Sequence, residues 1–410
     1  MKIKMKVLAT ALVVIFASSI LLSNITYANE SINVTIEGEL VNFAGQRPVI
    51  VDGRTLVPVR GVFEQLGFDV SWDGSTRQAT LTSDDYIVIL TISSDVFTTN
   101  GEEHILDVPA QIIGESTMLP IRAVLESVRY HVNWSAEEQT VIITPAVIIQ
   151  GELFPTSGRE LDLTLMLLTN DDIKPLEYMI YLESLRLDDN QISDLSSLSN
   201  LTNLRDLSLS NNQISDLAPL ANLKNLESLE LFGNEVSNIT PLSELTYLNF
   251  LGLGSNQISD LKPFAETLTA LPSLAKISLS WNQISDITHL SGLENLTELW
   301  LHENEIYDIT PLADLTNLTA LRIPWNDISD LAPIAGLVNL TTLQLTDNRI
   351  SYLSPLSRLT NLTMLELNSN LISDLTPLSG LPNLTELSLW GNLVTNWEPV
   401  AHIDNVSGRP

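Results

Sequence analysis

Cysteine is absent from the 410 residues. That excludes disulfides, thiolate metal sites, a cysteine nucleophile and a lipidation cysteine together. The chain must be held by its core alone. Basic residues are scarce: 20 Lys and Arg stand against 50 Asp and Glu, a formal net charge of −30. Such a surface repels nucleic acid and anionic lipid, so neither is an expected partner. Histidine is sparse too: His104, His131, His289, His302 and His402 form no H-E-x-x-H and no His-x-His pair. G-x-S-x-G and a phosphate-binding glycine loop are missing. Catalysis, a metal and a cofactor are therefore not expected. Aromatics make up only 6% of the chain, so the places where they fall carry information.

Long apolar runs are confined to one, Val7–Leu22. Lys2, Lys4 and Lys6 precede it, and polar SNITYA follows, with Thr26 and Ala28 placed for signal peptidase. At 16 residues the run is short of the roughly 20 that a membrane-spanning helix needs. Residues 1–28 read as a cleaved secretion signal, and no membrane association is expected after cleavage.

What is present is repetition. Asparagine stands at Asn190, Asn212, Asn234, Asn256, Asn282, Asn304, Asn326, Asn348, Asn370 and Asn392, in steps of 22 residues with a single step of 26. Apolar residues keep the same register. Around Asn212 they are Leu204, Leu207, Leu209, Ile214, Leu217, Leu220 and Leu223. Neither a period of 3.6 nor of 2.0 accounts for the unit. L-x-x-L-x-L-x-x-N at this period is a leucine-rich repeat. L-x-L forms a short inward-facing strand, and the asparagine amide bonds buried backbone in the turn. The return on the convex side, I-S-D-L-x-P-L, reads as tight 3-10 turns capped by Asp216, Asp260, Asp286, Asp308, Asp330 and Asp374. A single coil buries nothing by itself; stacked coils share a core and one parallel sheet. The four extra residues of the 26-residue step fall in KPFAETLTALPS and predict one helical turn on the convex face.

The block ISDLxPLxxLxNLxxLxLxxN resembles the internalin-type leucine-rich repeats of bacterial surface proteins. The resemblance covers 173–395 and implies protein ligands held on the concave face. Residues 147–172 read as a linker and N-terminal cap, and 396–410 as a C-terminal cap.

The front half holds a second duplication. TLVPVRGVFEQLGFDVSW (Thr55–Trp72) returns as TMLPIRAVLESVRYHVNW (Thr117–Trp134), offset by 62. Each copy reads strand, proline, arginine, amphipathic helix, strand, tryptophan. Helical spacing turns Val62, Phe63 and Leu66 inward in one copy, and Val124, Leu125 and Val128 in the other. QATLT and QTVIITP each add a strand. Residues 30–146 resemble the copper amine oxidase N-terminal-like domain, which implies an accessory stalk without copper chemistry. Arg60 and Arg122 read as structural ion pairs before ligand contacts. The expected architecture is an α/β leucine-rich-repeat solenoid, with a curved parallel sheet and a 3-10 and loop convex side, behind a separate small α+β domain.

The repeat leaves free the outward face of each strand: one, two, four and six residues before each ladder asparagine. Phe232, Phe250, Trp281, Trp300, Trp325 and Trp390 occupy such positions. The core does not need rings there, whereas aromatics on a concave surface favour binding. Arg186, Glu230, Lys276, Glu298, His302, Arg322, Gln344 and Glu366 frame them. Trp300, Trp325, Trp281, Phe250, Phe232, Trp390, Arg322 and His302 are the expected ligand-binding set, with Trp300 and Trp325 near neighbours on adjacent strands. N-x-S/T triplets at Asn200, Asn295, Asn317, Asn339 and Asn361 read as repeat structure before glycan acceptors. The reading is a secreted or cell-surface recognition protein of a Gram-positive type of bacterium, with a protein ligand. The alternatives are a cell-wall or polysaccharide binder and a component of a surface layer.

Overall fold

The computed structural model describes residues 32–51 and 53–409. The expected signal peptide, 1–28, lies outside the described residues.

The two front copies meet through their own counterparts. Strand Arg54–Pro58 lies antiparallel to Ser116–Pro120, pairing Val57 with Leu119, Leu56 with Pro120 and Pro58 with Met118. Val57 and Leu119 are equivalent residues under the offset of 62, so this pair marks an internal two-fold. Hairpin strands Val49–Val51 and Gln111–Ile113 flank the pair symmetrically. Each central strand ends on proline, which cannot extend the ladder, and a helix starts at the next residue. These helices are α1 (Val59–Phe63) and α2 (Ile121–Ser127). Val62, Phe63, Val124 and Leu125 are fully buried, Val128 nearly so, and Leu66 packs against the same core, as helical spacing predicts. Two further sheets complete the domain. One is an antiparallel meander from Asp69–Asp73 to Glu102–Ile105. The other is built on Thr140–Ile149, between Tyr130–Ser135 and Asn33–Ile36.

Thr140–Ile149 belongs to both halves of the molecule. Its first residues pair with Asn33–Ile36 and put Val141 and Ile143 in the front core. Its last residues pair with Glu152–Pro155 and put Val147 and Ile149 in the core of the repeats. The segment read as linker and cap therefore starts inside a strand. It also supplies the first strand of the repeat sheet, Glu160–Asp162. Met166 stands there at the ladder position, which is why the asparagine count misses this coil. At the other end, Asn405–Ser407 adds the last of twelve parallel strands.

Each ladder asparagine ties two coils together. Asn212 Nδ2 donates to the Leu209 carbonyl of its own turn at 3.1 Å and to the Leu187 carbonyl of the preceding coil at 2.9 Å. Its Oδ1 accepts from Ile192 N–H at 3.0 Å. A second, exposed asparagine column binds the convex side. Asn295, Asn317, Asn339 and Asn361 each donate to a carbonyl of the previous coil at 2.8–3.1 Å. Asn200 lies outside this column, whose place in its coil is filled by Asn203. All six expected aspartates accept a backbone N–H at 2.8–2.9 Å. They do so as Asx turns one residue ahead of the formal cap, where a leucine or isoleucine sits. The added residues are taken up by a short helix, α3 (Ala265–Thr269), on the convex side.

Candidate recognition surface

The ladder forces the residue just before each asparagine into left-handed backbone. Asp189, Asn211, Gly233, Ser255, Trp281, Glu303, Trp325, Asp347, Ser369 and Gly391 all have φ between 51° and 71°. Glycine, asparagine and aspartate suit such a position. Trp281 (φ 59°) and Trp325 (φ 52°) do not, and they are 51% and 46% exposed. Local backbone preference disfavours tryptophan here, and neither ring belongs to the repeat core, so the core does not account for the choice.

A connected cluster occupies the middle of the concave sheet. Phe250 meets Trp300 edge to face at 6.1 Å. Register places Arg322 opposite Trp300, and its guanidinium lies 5.2 Å from the ring centre. Arg322 also reaches Glu298 at 3.4 Å, and Lys276 reaches the same carboxylate at 2.8 Å. Trp281 meets the His302 ring edge to face at 5.9 Å, and His302 Nδ1 bonds Ser280 Oγ at 2.8 Å. Burial lowers the His302 pKa, and the positive charge of Arg322 adds to that. Burial pushes Glu298 upward, but its bonds and charge contacts with Lys276 and Arg322 outweigh this and leave it net lowered.

The sequence grouping is thus corrected in one respect. Trp325 is not the cross-strand neighbour of Trp300: it sits three residues beyond Arg322, in the turn. Trp390 lies at the far end, 60% exposed. Phe232 is half-buried and leans over Gly254, where an added Cβ would come within 2.7 Å of its ring. Gly252 likewise makes room for Glu230, whose carboxyl burial pushes upward while the N–H groups of Phe232 and Leu231 pull it back. Ser280 and these two glycines were missed by a reading that looked for large side chains. Two glycines at consecutive outward positions, one ending strand Phe250–Gly252 and one just past it, are a visible signal of a local depression. Among the described residues no group of three His, Asp or Glu side chains is placed to hold a metal ion.

This geometry, one parallel sheet of twelve short strands with 3-10 turns on the return side, is that of a leucine-rich-repeat solenoid. Family models agree. The copper amine oxidase N-terminal domain matches residues 35–143, and leucine-rich repeats match 182–222 and 360–402. The chain is 30% identical to an internalin from Listeria monocytogenes, over 71% of this chain and 94% of that one, with a TM-score of 0.46. It is 32% identical to internalin C2 of the same organism, over 53% of this chain and 86% of that one, TM-score 0.39. A leucine-rich-repeat protein of Leptospira interrogans is 24% identical over 57% of this chain and 62% of that one, TM-score 0.52, and shares the fold. No curated protein matches the chain. By its repeats and its identity to the internalins over nearly their whole length, the chain belongs to the internalin-type leucine-rich-repeat proteins, with a copper amine oxidase N-terminal domain in front. An internalin-like fold of this kind suggests a role in protein interaction.

Proposed function

We propose that this is a non-enzymatic recognition protein, secreted or held at the cell surface, that binds a protein ligand through the concave aromatic face of its repeats. The observation that carries this is Trp281 and Trp325: bulky, half-exposed rings held in left-handed backbone that glycine or asparagine fills more cheaply in other coils. Aromatic anchors with a polar frame commonly dominate protein interfaces. A rigid solenoid keeps the ordering cost of binding low. The covered face of Trp300 favours a protein over a glycan on this sheet, because a sugar ring stacks on an open indole and Arg322 already lies over this one.

The test is comparative. Immobilised parent chain and a Trp281→Ala, Trp300→Ala, Trp325→Ala variant are exposed to host cell-surface and culture-medium protein fractions. Proteins retained by the parent and lost from the variant support the reading. Equal retention by both, or binding that survives digestion of the fraction with protease, overturns it.

A further inference from the structure

We propose that the N-terminal domain carries two equivalent saccharide-binding grooves, one for each copy of its duplicated unit, suited to uncharged pyranose rings. The internal two-fold at Val57 and Leu119 builds a cavity at the equivalent place in each copy. The first, about 370 Å³, is lined by Arg60, Ser71 and Trp72 of the first copy and by Ile112, Glu115 and Thr117 from the hairpin of the second. The second, about 550 Å³, is lined by Arg122, Asn133 and Trp134 of the second copy and by Ile50, Arg54 and Thr55 from the hairpin of the first. Under the offset of 62, Trp72 becomes Trp134, Arg60 becomes Arg122, Ser71 becomes Asn133, and Thr55 and Thr117 exchange. Both volumes fall in the range of small-ligand sites.

The lining sets the chemistry. An indole beside a guanidinium, with hydroxyl and amide groups around them, offers an apolar plate and several hydrogen-bonding groups. A pyranose ring needs both, for its C–H face and its rim of hydroxyls. Trp72 is 43% exposed and stands outside the front core, so packing does not account for it. The arginines are available. Arg60 and Arg122 bond Glu64 and Glu126 at 3.2 and 3.8 Å, but all four side chains are 40–67% exposed, and such surface pairs are weak. Charge decides between glycans. Arg60 and Glu115 both line the first groove; in the second, Arg54 pairs with Asp107 and Arg122 with Glu126. Opposite charges balance in each groove and the chain as a whole is strongly acidic, so an anionic polymer is disfavoured and an uncharged one fits.

The proposal is independent of the concave surface, and its test keeps the two apart. The full chain is titrated with chitohexaose, cellohexaose, laminarihexaose and mannohexaose by calorimetry, and sedimented with the corresponding insoluble polymers. Variants are Trp72→Ala in the first groove, Arg122→Ala with Asn133→Ala in the second, and their combination. All three positions are exposed; Arg122 holds a surface ion pair and Asn133 accepts the N–H of its neighbour Trp134, so the cost to folding is small. Trp134, which packs partly on the core, is left in place. The expected result is saturable binding of at least one uncharged oligosaccharide. Its stoichiometry falls from two to one in either groove variant, retention on polymer drops about a hundredfold in either, since paired sites on one body act together, and binding is lost in the combination. A Trp300→Ala, Trp325→Ala variant is expected to bind the glycan like the parent. No saturable binding of any of the four sugars overturns the proposal. So do binding confined to acidic polymers or to peptides, binding that survives the combined variant, and binding lost only from the concave-face variant.

Discussion

The guanidinium of Arg322 lies over the ring of Trp300, 5.2 Å from its centre, on the strand next to it. The same guanidinium holds Glu298 and raises the local positive potential at His302. One side chain therefore sets the chemistry of three neighbours, Trp300, Glu298 and His302, and its removal has readable consequences.

Arg322→Met is expected to raise the pKa of both His302 and Glu298. His302 loses a repelling charge but stays below 6.5, because burial remains. Glu298 loses a stabilising charge while keeping Lys276. Proton NMR titration of the His302 ring checks this. A His302 pKa that does not move would show that burial alone sets it. The sign for stability follows. A histidine whose folded pKa is lowered contributes stability that is complete above about pH 6.5 and is lost as pH falls through the folded value. The parent should thus unfold more easily as the medium is acidified from pH 7 toward pH 5, and the His302→Gln variant should show less of this slope.

Trp325→Gly is expected to stabilise the fold and weaken binding. The position has φ of 52°, and left-handed backbone costs a side-chain-bearing residue about 1–2 kcal/mol that glycine avoids. Trp325→Ala keeps the strain and loses the ring, so it should gain nothing. Denaturant midpoints of the three proteins decide. If the glycine variant is no more stable than the alanine variant, the left-handed backbone costs nothing here; if the alanine variant is clearly less stable than the parent, the ring is contributing to folding, and the argument for an external purpose fails.

Most of the repeat was legible because one residue type repeats for one physical reason. Asn212 and its nine counterparts stand where a buried turn has unpaired backbone groups, and the spacing gave strands, turns and the extra helix α3. The first coil escaped because Met166 holds the ladder position. The front domain was legible as a duplication. Its symmetry was not, because pairing of Val57 with Leu119 is a long-range contact that no local pattern encodes. The same limit applied to the concave cluster. Outward positions follow from the period, but which of them touch depends on register. Trp300 and Trp325 sit in different columns, four residues and one residue before their asparagines, and this separates them although they look adjacent in the text.

Asn326→Ala tests the ladder. Asn326 is 8% exposed; its amide donates to Leu301 and Pro324 carbonyls at 3.0 Å, and its oxygen accepts from Ile306 N–H at 2.9 Å. Alanine leaves these groups buried and unpaired, at a cost of about 1–3 kcal/mol each. The expected loss is on the order of 3 kcal/mol by denaturant titration, with part recovered by local relaxation. Asn339→Ala, in the exposed convex column, should cost well under half as much, since water replaces its bond to Thr316. Equal costs at the two sites would mean that burial is not what gives the inner ladder its value.

The strand Thr140–Ile149 carries the last expectation. Val141 and Ile143 are buried in the front core and Val147 and Ile149 in the repeat core, with no break in the strand between them. Opening either core frays the strand the other core uses, so the halves should unfold together. A single calorimetric transition is expected for the full chain, with the calorimetric enthalpy close to the van't Hoff value. A short Gly-Ser insertion between Ala146 and Val147 leaves both halves of the strand intact but uncouples them. That variant should show two transitions, the lower one assigned by Trp72 or Trp134 fluorescence or by loss of the repeat signal. Ile149→Ala should lower the coupled transition of the uninserted chain through a cost of about 2–5 kcal/mol. In the inserted chain it should move only the repeat transition. Two separate transitions in the parent would show that the shared strand joins the halves without coupling them.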